Sequence, residues 1–271
     1  MSVSNLNKSV SVMGVLNVTP DSFFDGGQYN QLASAVDQAL AMQRAGADII
    51  DIGGESTRPG APLVSEAEEL ERVLPVIRAI RQVSDIKISV DTSKPEVMRQ
   101  AVRAGANIIN DVRALKQEGA LQAACELDVP VCLMHMQGEP DVMQDRPAYN
   151  SVVDEVFAFL MQQVDRCLGA GLKKEQIWID PGFGFGKTLS HNLSLLKHLQ
   201  VFVDSGYPVL VGMSRKSMLG TILDVPVDER LAGSLALAAI AAMKNAAIIR
   251  VHDVQETVHV VKVCQAVQRA E

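Results

Sequence analysis

Eight short apolar runs punctuate this chain: VMGVL, DIIDIG, IKISV, NII, VPVCLM, IWI, PVLVGM and AAIIRV. Each leads into a cluster of small polar or charged residues. The clusters are Asn17, Glu55–Arg58, Asp91, Asn110–Asp111, His135, Asp180, Ser214–Lys216 and Arg250–His252. Segments with helical periodicity fill nearly every interval between the runs. A strand followed by a helix, eight times over, predicts a (β/α)8 barrel. That fold collects its chemistry at the carboxyl ends of its strands, so the clusters are expected to face one mouth.

The length of 271 residues suits one such barrel, and no linker divides it, so 1–271 is read as a single domain. Hydrophobic residues make up 48% with few aromatics, as expected of strands buried on both faces. The net charge of −7 argues against nucleic-acid binding, so an anionic substrate would need a local basic cluster. Cys125, Cys132, Cys167 and Cys264 lack metal-ligand spacing and are read as buried free thiols of a reducing compartment. The opening MSVSNLNKSVSV has no signal pattern. LALAAIAAM, in the 231–243 region, is too short to span a membrane. A cytoplasmic protein with no membrane partner is expected.

The first strand covers about 10–17 and runs into N-V-T-P-D-S-F-F-D-G-G, too rich in turn formers for regular structure. Apolar spacing predicts a helix over about 31–45, ending at Gly46. The second strand, about 48–53, opens a loop G-G-E-S-T-R-P-G-A-P, after which Ser65 and Glu68 match a capping box. Further strands are predicted at 86–91, 107–111, 129–134, 176–180, 208–213 and 246–251, with a helix over about 148–170. Ser93 is placed to cap a helix and Pro95 to enter its first turn. Loops 17–30 and 53–65 are long and glycine-rich, as lids at a barrel mouth are.

G-F-G-F-G-K-T, 182–188, imitates a phosphate-binding loop, but the required first glycine falls on Pro181, and dinucleotide spacing is absent too. Asp180 can accept paired hydrogen bonds from the N–H/NH2 edge of guanine or a pterin, or can instead bind backbone N–H groups of its own turn. Asp91 and Asn110 carry the same two readings, and the three together would floor a flat heterocycle. Asp111, next along the strand, points the other way and is read as structural. Lys216, Arg250 and His252 fall on the last two strand ends, where this fold frequently holds phosphate, and Arg58 can add another charge. Any one of them could simply face solvent, but four cationic groups around one mouth point to an anion. Asn17 and Thr57 are neutral oxygen donors suited to magnesium. Ser214 lacks a nucleophile-elbow context, and isolated His135 is read as structural. Met13, Met134 and Met213 are read as core. Phe23 and Phe183 sit on loops, where a flat aromatic substrate would use them.

Taken in order, M-G-V-L-N-V-T-P-D-S-F, D-I-G-G-E-S-T-R-P-G-A, S-V-D-T-S-K-P-E-V, A-N-I-I-N-D-V-R-A-L, L-M-H-M-Q-G-E-P, D-P-G-F-G-F-G-K, V-G-M-S-R-K-S and I-I-R-V-H-D-V resemble the bacterial dihydropteroate synthases. The resemblance runs from about residue 10 to 260. It implies an alkyl-group transferase of folate synthesis, a target of sulfonamides. Such an enzyme makes 7,8-dihydropteroate from 6-hydroxymethyl-7,8-dihydropterin diphosphate and 4-aminobenzoate. It further implies that Asp91, Asn110, Asp180 and Lys216 hold the pterin and that Asn17 ligates Mg2+. Thr57, Arg58, Arg250 and His252, with Asn17, would surround the diphosphate. Ser214, Phe183, Phe23 and Pro59 would line the 4-aminobenzoate pocket, with Arg58, Asp91, Lys216 and Arg250 acting in catalysis. A homodimer is implied as well, in keeping with apolar helices after strands six to eight. Two departures stand out: a short segment before Val12, and Phe24 where a small polar residue is frequent.

The chemistry expected of such a mouth follows from the substrates. An arylamine is already neutral at pH 7 and needs no base, so departure of diphosphate limits the reaction. The enzyme must stabilise leaving-group charge and position the amine. An ionising, SN1-like displacement is expected, with Asp91 and Asp180 stabilising the charge on the pterin methylene. The alternatives are a corrinoid methyltransferase that binds a methylated folate, which needs no diphosphate site, and a non-catalytic pterin-binding paralogue.

Overall fold

The computed structural model describes residues 10–18, 28–56, 64–138 and 147–270. Its eight strands are β1 (Ser11–Asn17), β2 (Ile49–Gly53), β3 (Lys87–Asp91), β4 (Ile108–Asp111), β5 (Val131–Met134), β6 (Ile177–Asp180), β7 (Leu210–Val211) and β8 (Ile248–Val251). All pairings are parallel, in the order β6-β5-β4-β3-β2-β1-β8-β7. A single parallel bridge, Ile179 to Val209, joins the two ends of that order and completes the ring. The predicted barrel is therefore the observed one.

The helices alternate with the strands: α1 (Gln28–Arg44), α2 (Glu66–Val83), α3 (Pro95–Ala104), α4 (Ala120–Leu127) and α5 (Val152–Gly169). The later intervals hold α6 (Leu189–Lys197) with α7 (Gln200–Val203), then α8 (Ser217–Leu223) with α9 (Leu231–Met243), and finally α10 (Val254–Arg269). Ser65 caps α2 with the full capping box, its Oγ accepting from Glu68 N–H at 3.3 Å while the Glu68 carboxylate accepts from Ser65 N–H at 3.0 Å. Pro95 opens α3 as expected, but the capping role read for Ser93 does not hold. The N-cap is Lys94, without a side-chain cap, because the Ser93 hydroxyl donates to Asp111 instead. β7 is also shorter than its apolar run. Pro208 offers only its carbonyl, to Ile179 N–H, and the chain is already turning by Met213, whose carbonyl accepts from Lys216 N–H.

Strand alternation sorts the core into two shells. Outward residues such as Leu16, Ile50, Ile52, Ile88, Ile109, Leu133 and Ile249 pack under the helices. Inward residues at the amino-terminal half of the barrel, Met13, Ile49, Ile108, Cys132, Leu210 and Ile248, form a separate apolar plug. One inward position further along, β2, β4 and β8 change to Asp51, Asn110 and Arg250, and β3 and β6 end on Asp91 and Asp180. The plug thus closes the bottom of a polar-lined cup.

Candidate active site

Arg250 organises the cup. It leaves β8 and reaches across the barrel, its Nε donating to Asp51 Oδ2 at 2.6 Å and its Nη2 to Asp91 Oδ2 at 2.9 Å. Asn110 Nδ2 donates to the same Asp51 oxygen at 3.2 Å. Burial by itself would lower the Arg250 pKa, but Asp51 and Asp91 outweigh it and the net shift is upward, so the guanidinium stays charged. Burial first, and Asp51 second, push the Asp91 carboxyl well above the usual range, with Arg250 opposing. Asp51 is fully buried, and its Oδ1 has no hydrogen-bond partner among the described residues. A buried acceptor of that kind is costly until a donor arrives. Sequence reading passed over Asp51 because it lies mid-strand; the signal was a carboxylate at an inward position of an otherwise apolar run.

Asp180 and Lys216 form the opposite rim. The Asp180 carboxylate accepts from Gly182 N–H at 2.7 Å, which opposes the upward push of burial on its pKa. Lys216 Nζ donates to the Phe183 carbonyl and lies 4.6 Å from the centre of the Phe185 ring. Burial lowers the Lys216 pKa to about 8, with Asp180 opposing. Phe183 departs from the expectation of an accessible loop aromatic. Its ring is fully buried in the outer core, and the aromatic that flanks the cup is Phe185, two residues on. A glycine-alternating loop turns successive aromatics to different sides, so the motif alone did not separate them.

The triplet Ser214–Lys216 divides its labour. Ser214 Oγ accepts from His252 N–H at 3.2 Å and lies 3.1 Å from His252 Nδ1. Arg215, at φ +57°, points away from the cup and pairs with Asp253 through two hydrogen bonds, the Nε one at 2.9 Å. Its N–H donates to Ser234 Oγ at 2.9 Å and its carbonyl accepts from Arg230 at 3.0 Å, which anchors the turn that presents Ser214 and Lys216. Burial, then Arg250 and Arg215, lower the His252 pKa to about 4, although the side chain is exposed at the cup's edge.

Asn17 ends β1 beside Gly53. A Cβ on that glycine would sit 3.8 Å from Asn17 Oδ1 and 3.9 Å from Asp91 Oδ2, so its absence leaves those oxygens facing the same space. Glu55, two residues past Gly53, pairs with Lys94, which also meets buried Glu69 at 2.5 Å. Asp111 confirms its structural reading, accepting from Ser93 Oγ, Arg113 N–H and Leu115 N–H. Phe23, Thr57, Arg58 and Pro59 lie outside the described residues, as does most of both glycine-rich loops.

A (β/α)8 enzyme with a carboxylate-amide floor, a clamped arginine and a cationic rim is the class that fold and cup define. The profile of the pterin-binding enzymes matches residues 13–252, and the chain belongs to that family. It is 58% identical over 260 residues to the dihydropteroate synthase of Escherichia coli K12, covering 96% of this chain and 92% of that protein. Its fold matches a Yersinia pestis dihydropteroate synthase solved with a sulfonamide drug. That match has a TM-score of 0.92 and 53% identity, over 97% of this chain and 95% of that one. It also matches the Xanthomonas albilineans enzyme in complex with 7,8-dihydropteroate, with a TM-score of 0.89 and 46% identity, over 98% and 96% of the two chains.

Proposed function

We propose that this cup carries out the reaction for which its relatives are named. The chain is a dihydropteroate synthase, an alkyl-group transferase that joins 4-aminobenzoate to 6-hydroxymethyl-7,8-dihydropterin diphosphate with loss of diphosphate. The observation that carries this reading is the Asp51–Arg250–Asp91 clamp with Asn110 beneath it. Its orphaned Asp51 oxygen and perturbed Asp91 need a ligand with several ring N–H donors, and a pterin has them. Asp180 offers a second carboxylate to an N–H/NH2 edge, and Lys216 meets a ring acceptor while stacking on Phe185.

The reaction then needs little proton chemistry from the protein. The floor binds and orients the pterin. Burial raises the pKa of Asp91 and Asp180, and a positive charge developing on the ring and its methylene opposes that shift, so the ionised carboxylates and the developing charge favour one another. Arg250 and Lys216 supply positive charge for the departing anion, and His252 can donate a hydrogen bond to it. Ser214 and Phe185 border the place the arylamine must occupy. Asn17 would hold Mg2+, whose preference for few protein oxygens plus phosphate and water fits a single amide oxygen at the cup's edge. Bound there, the ion would neutralise diphosphate charge.

The protein is further proposed to work as a homodimer in the cytoplasm. Supporting the dimer, Leu193, Ile222, Leu223, Ile240, Met243 and Val263 are exposed large apolar residues on neighbouring helices. No helix among the described residues is long and apolar enough to cross a membrane. Sulfonamides are expected to compete for the arylamine position. The test is a coupled assay with pterin diphosphate, Mg2+ and 4-aminobenzoate, measuring dihydropteroate and diphosphate together. Stoichiometric formation of both is expected. No dihydropteroate and no diphosphate release with both substrates present would overturn the reading in favour of a methyltransferase or a binding protein.

A further inference from the structure

Lys187 carries a buried amine for which the chemistry above has no use. Burial lowers its pKa to about 7, with Asp180 opposing, and among the described residues it has no carboxylate hydrogen-bond partner. Its Nζ donates to the Gly182 carbonyl at 2.8 Å and the Phe185 carbonyl at 2.9 Å, and contacts His135 Nδ1 at 3.0 Å and the His135 carbonyl at 3.3 Å. Burial, and then Lys187 itself, depress the His135 pKa to about 3, so that ring is neutral. The ring is fixed in turn by an edge contact with Phe159, 4.9 Å between centres.

Other contacts hold the loop between β6 and α6 as well. Lys216 Nζ donates to the Phe183 carbonyl, Gly184 N–H to Asn192 Oδ1 at 2.7 Å, and the Tyr149 hydroxyl to the Gly186 carbonyl at 2.8 Å, while Lys187 ties Gly182 and Phe185 to the end of β5. Gly182, Gly184 and Gly186 have φ of +70°, +82° and +59°, conformations that glycine adopts freely and leaves as freely. The loop runs hard against the end of β5, since a Cβ on Gly182 would lie 1.8 Å from the His135 carbonyl oxygen. Both groups that Lys187 binds on the loop lead straight into the cup. Gly182 gives its carbonyl to Lys187 and its N–H to the Asp180 carboxylate. Phe185 gives its carbonyl to Lys187 and its ring to Lys216.

We propose that Lys187, seated on neutral His135, is a positioning residue. It locks the loop between β6 and α6 so that Asp180 and Phe185 stand in register with Lys216 and the pterin. The inference rests on the proposed function, and the experiment separates the two. Wild-type turnover in the coupled assay reports on the function. Binding of pterin diphosphate, read by calorimetry on folded variants, reports on Lys187.

Lys187→Met removes the donors while keeping the length, and the desolvation cost it relieves offsets the hydrogen bonds lost at the Gly182 and Phe185 carbonyls. The expected result is a melting temperature near wild type, with pterin affinity and kcat each reduced about tenfold or more, as sub-ångström misplacement allows. In combination with Phe185→Ala the loss should be less than the product of the two single effects. Affinity and kcat within about twofold of wild type in the folded variant would overturn the proposal. If Lys187→Met does not fold, His135→Ala decides. A weakened pterin affinity in that folded variant supports the lock, and wild-type constants overturn it.

Discussion

Arg250 bonds both Asp51 and Asp91, and neither carboxylate would be cheap to bury without it. Arg250→Ala is expected to lower unfolding free energy by about 3 kcal/mol and to abolish pterin binding. Urea denaturation and calorimetry check the two parts. Lys216 yields a pH prediction of definite sign. Its charge is present below its pKa of about 8 and lost above it, so kcat/KM for the anionic pterin diphosphate should fall as pH rises through that value. Lys216→Arg should flatten this limb, and an unchanged limb would remove Lys216 from the binding step. Stability moves the other way. The folded pKa lies below the unfolded value of about 10.4, so the cost of burying the charge is relieved as pH rises from about 8 towards 10. At this scale the inventory of cup residues was readable wherever a polar residue terminated an apolar run. Asp51 escaped it by lying within a run, and Phe183, expected to be an accessible loop aromatic, is buried while Phe185 lies against Lys216.

Among the elements, local signals held and distant ones did not. The α2 capping box spans three residues, and Ser65→Ala should cost about 1 kcal/mol in a denaturation midpoint analysis. Ser93 carries a similar local signal, but its hydroxyl is claimed by Asp111, eighteen positions away in sequence. The loop after β6 is the element where backbone geometry matters most to function. Gly182→Ala cannot keep the present backbone, given the 1.8 Å approach to the His135 carbonyl and the positive φ. It should therefore lose pterin binding, as titration calorimetry would show. Retained affinity would mean that the loop tolerates another path.

For the molecule as a whole, the apolar residues exposed on α6, α8, α9 and α10 are the surface to test for self-association. Ile222→Glu combined with Leu223→Glu should convert the proposed dimer to a monomer by sedimentation. A mass unchanged from wild type would place the interface elsewhere or remove it. Eight short apolar runs and the helices between them determine the barrel, because burying both faces of a parallel sheet leaves few other topologies.

From the sequence by itself came the ring, the direction of its mouth and most of the polar residues around it, since each of these follows from alternation along a single strand. Only the tertiary structure decided that Arg250 is clamped between two carboxylates, that Arg215 turns outward while Lys216 turns in, and that Lys187 grips His135 and the glycine loop. Those facts depend on which side chains meet across the barrel, from residues up to 199 apart in sequence. Desolvation and neighbouring charge then set the chemistry, and neither can be read from the spacing of residues along a chain.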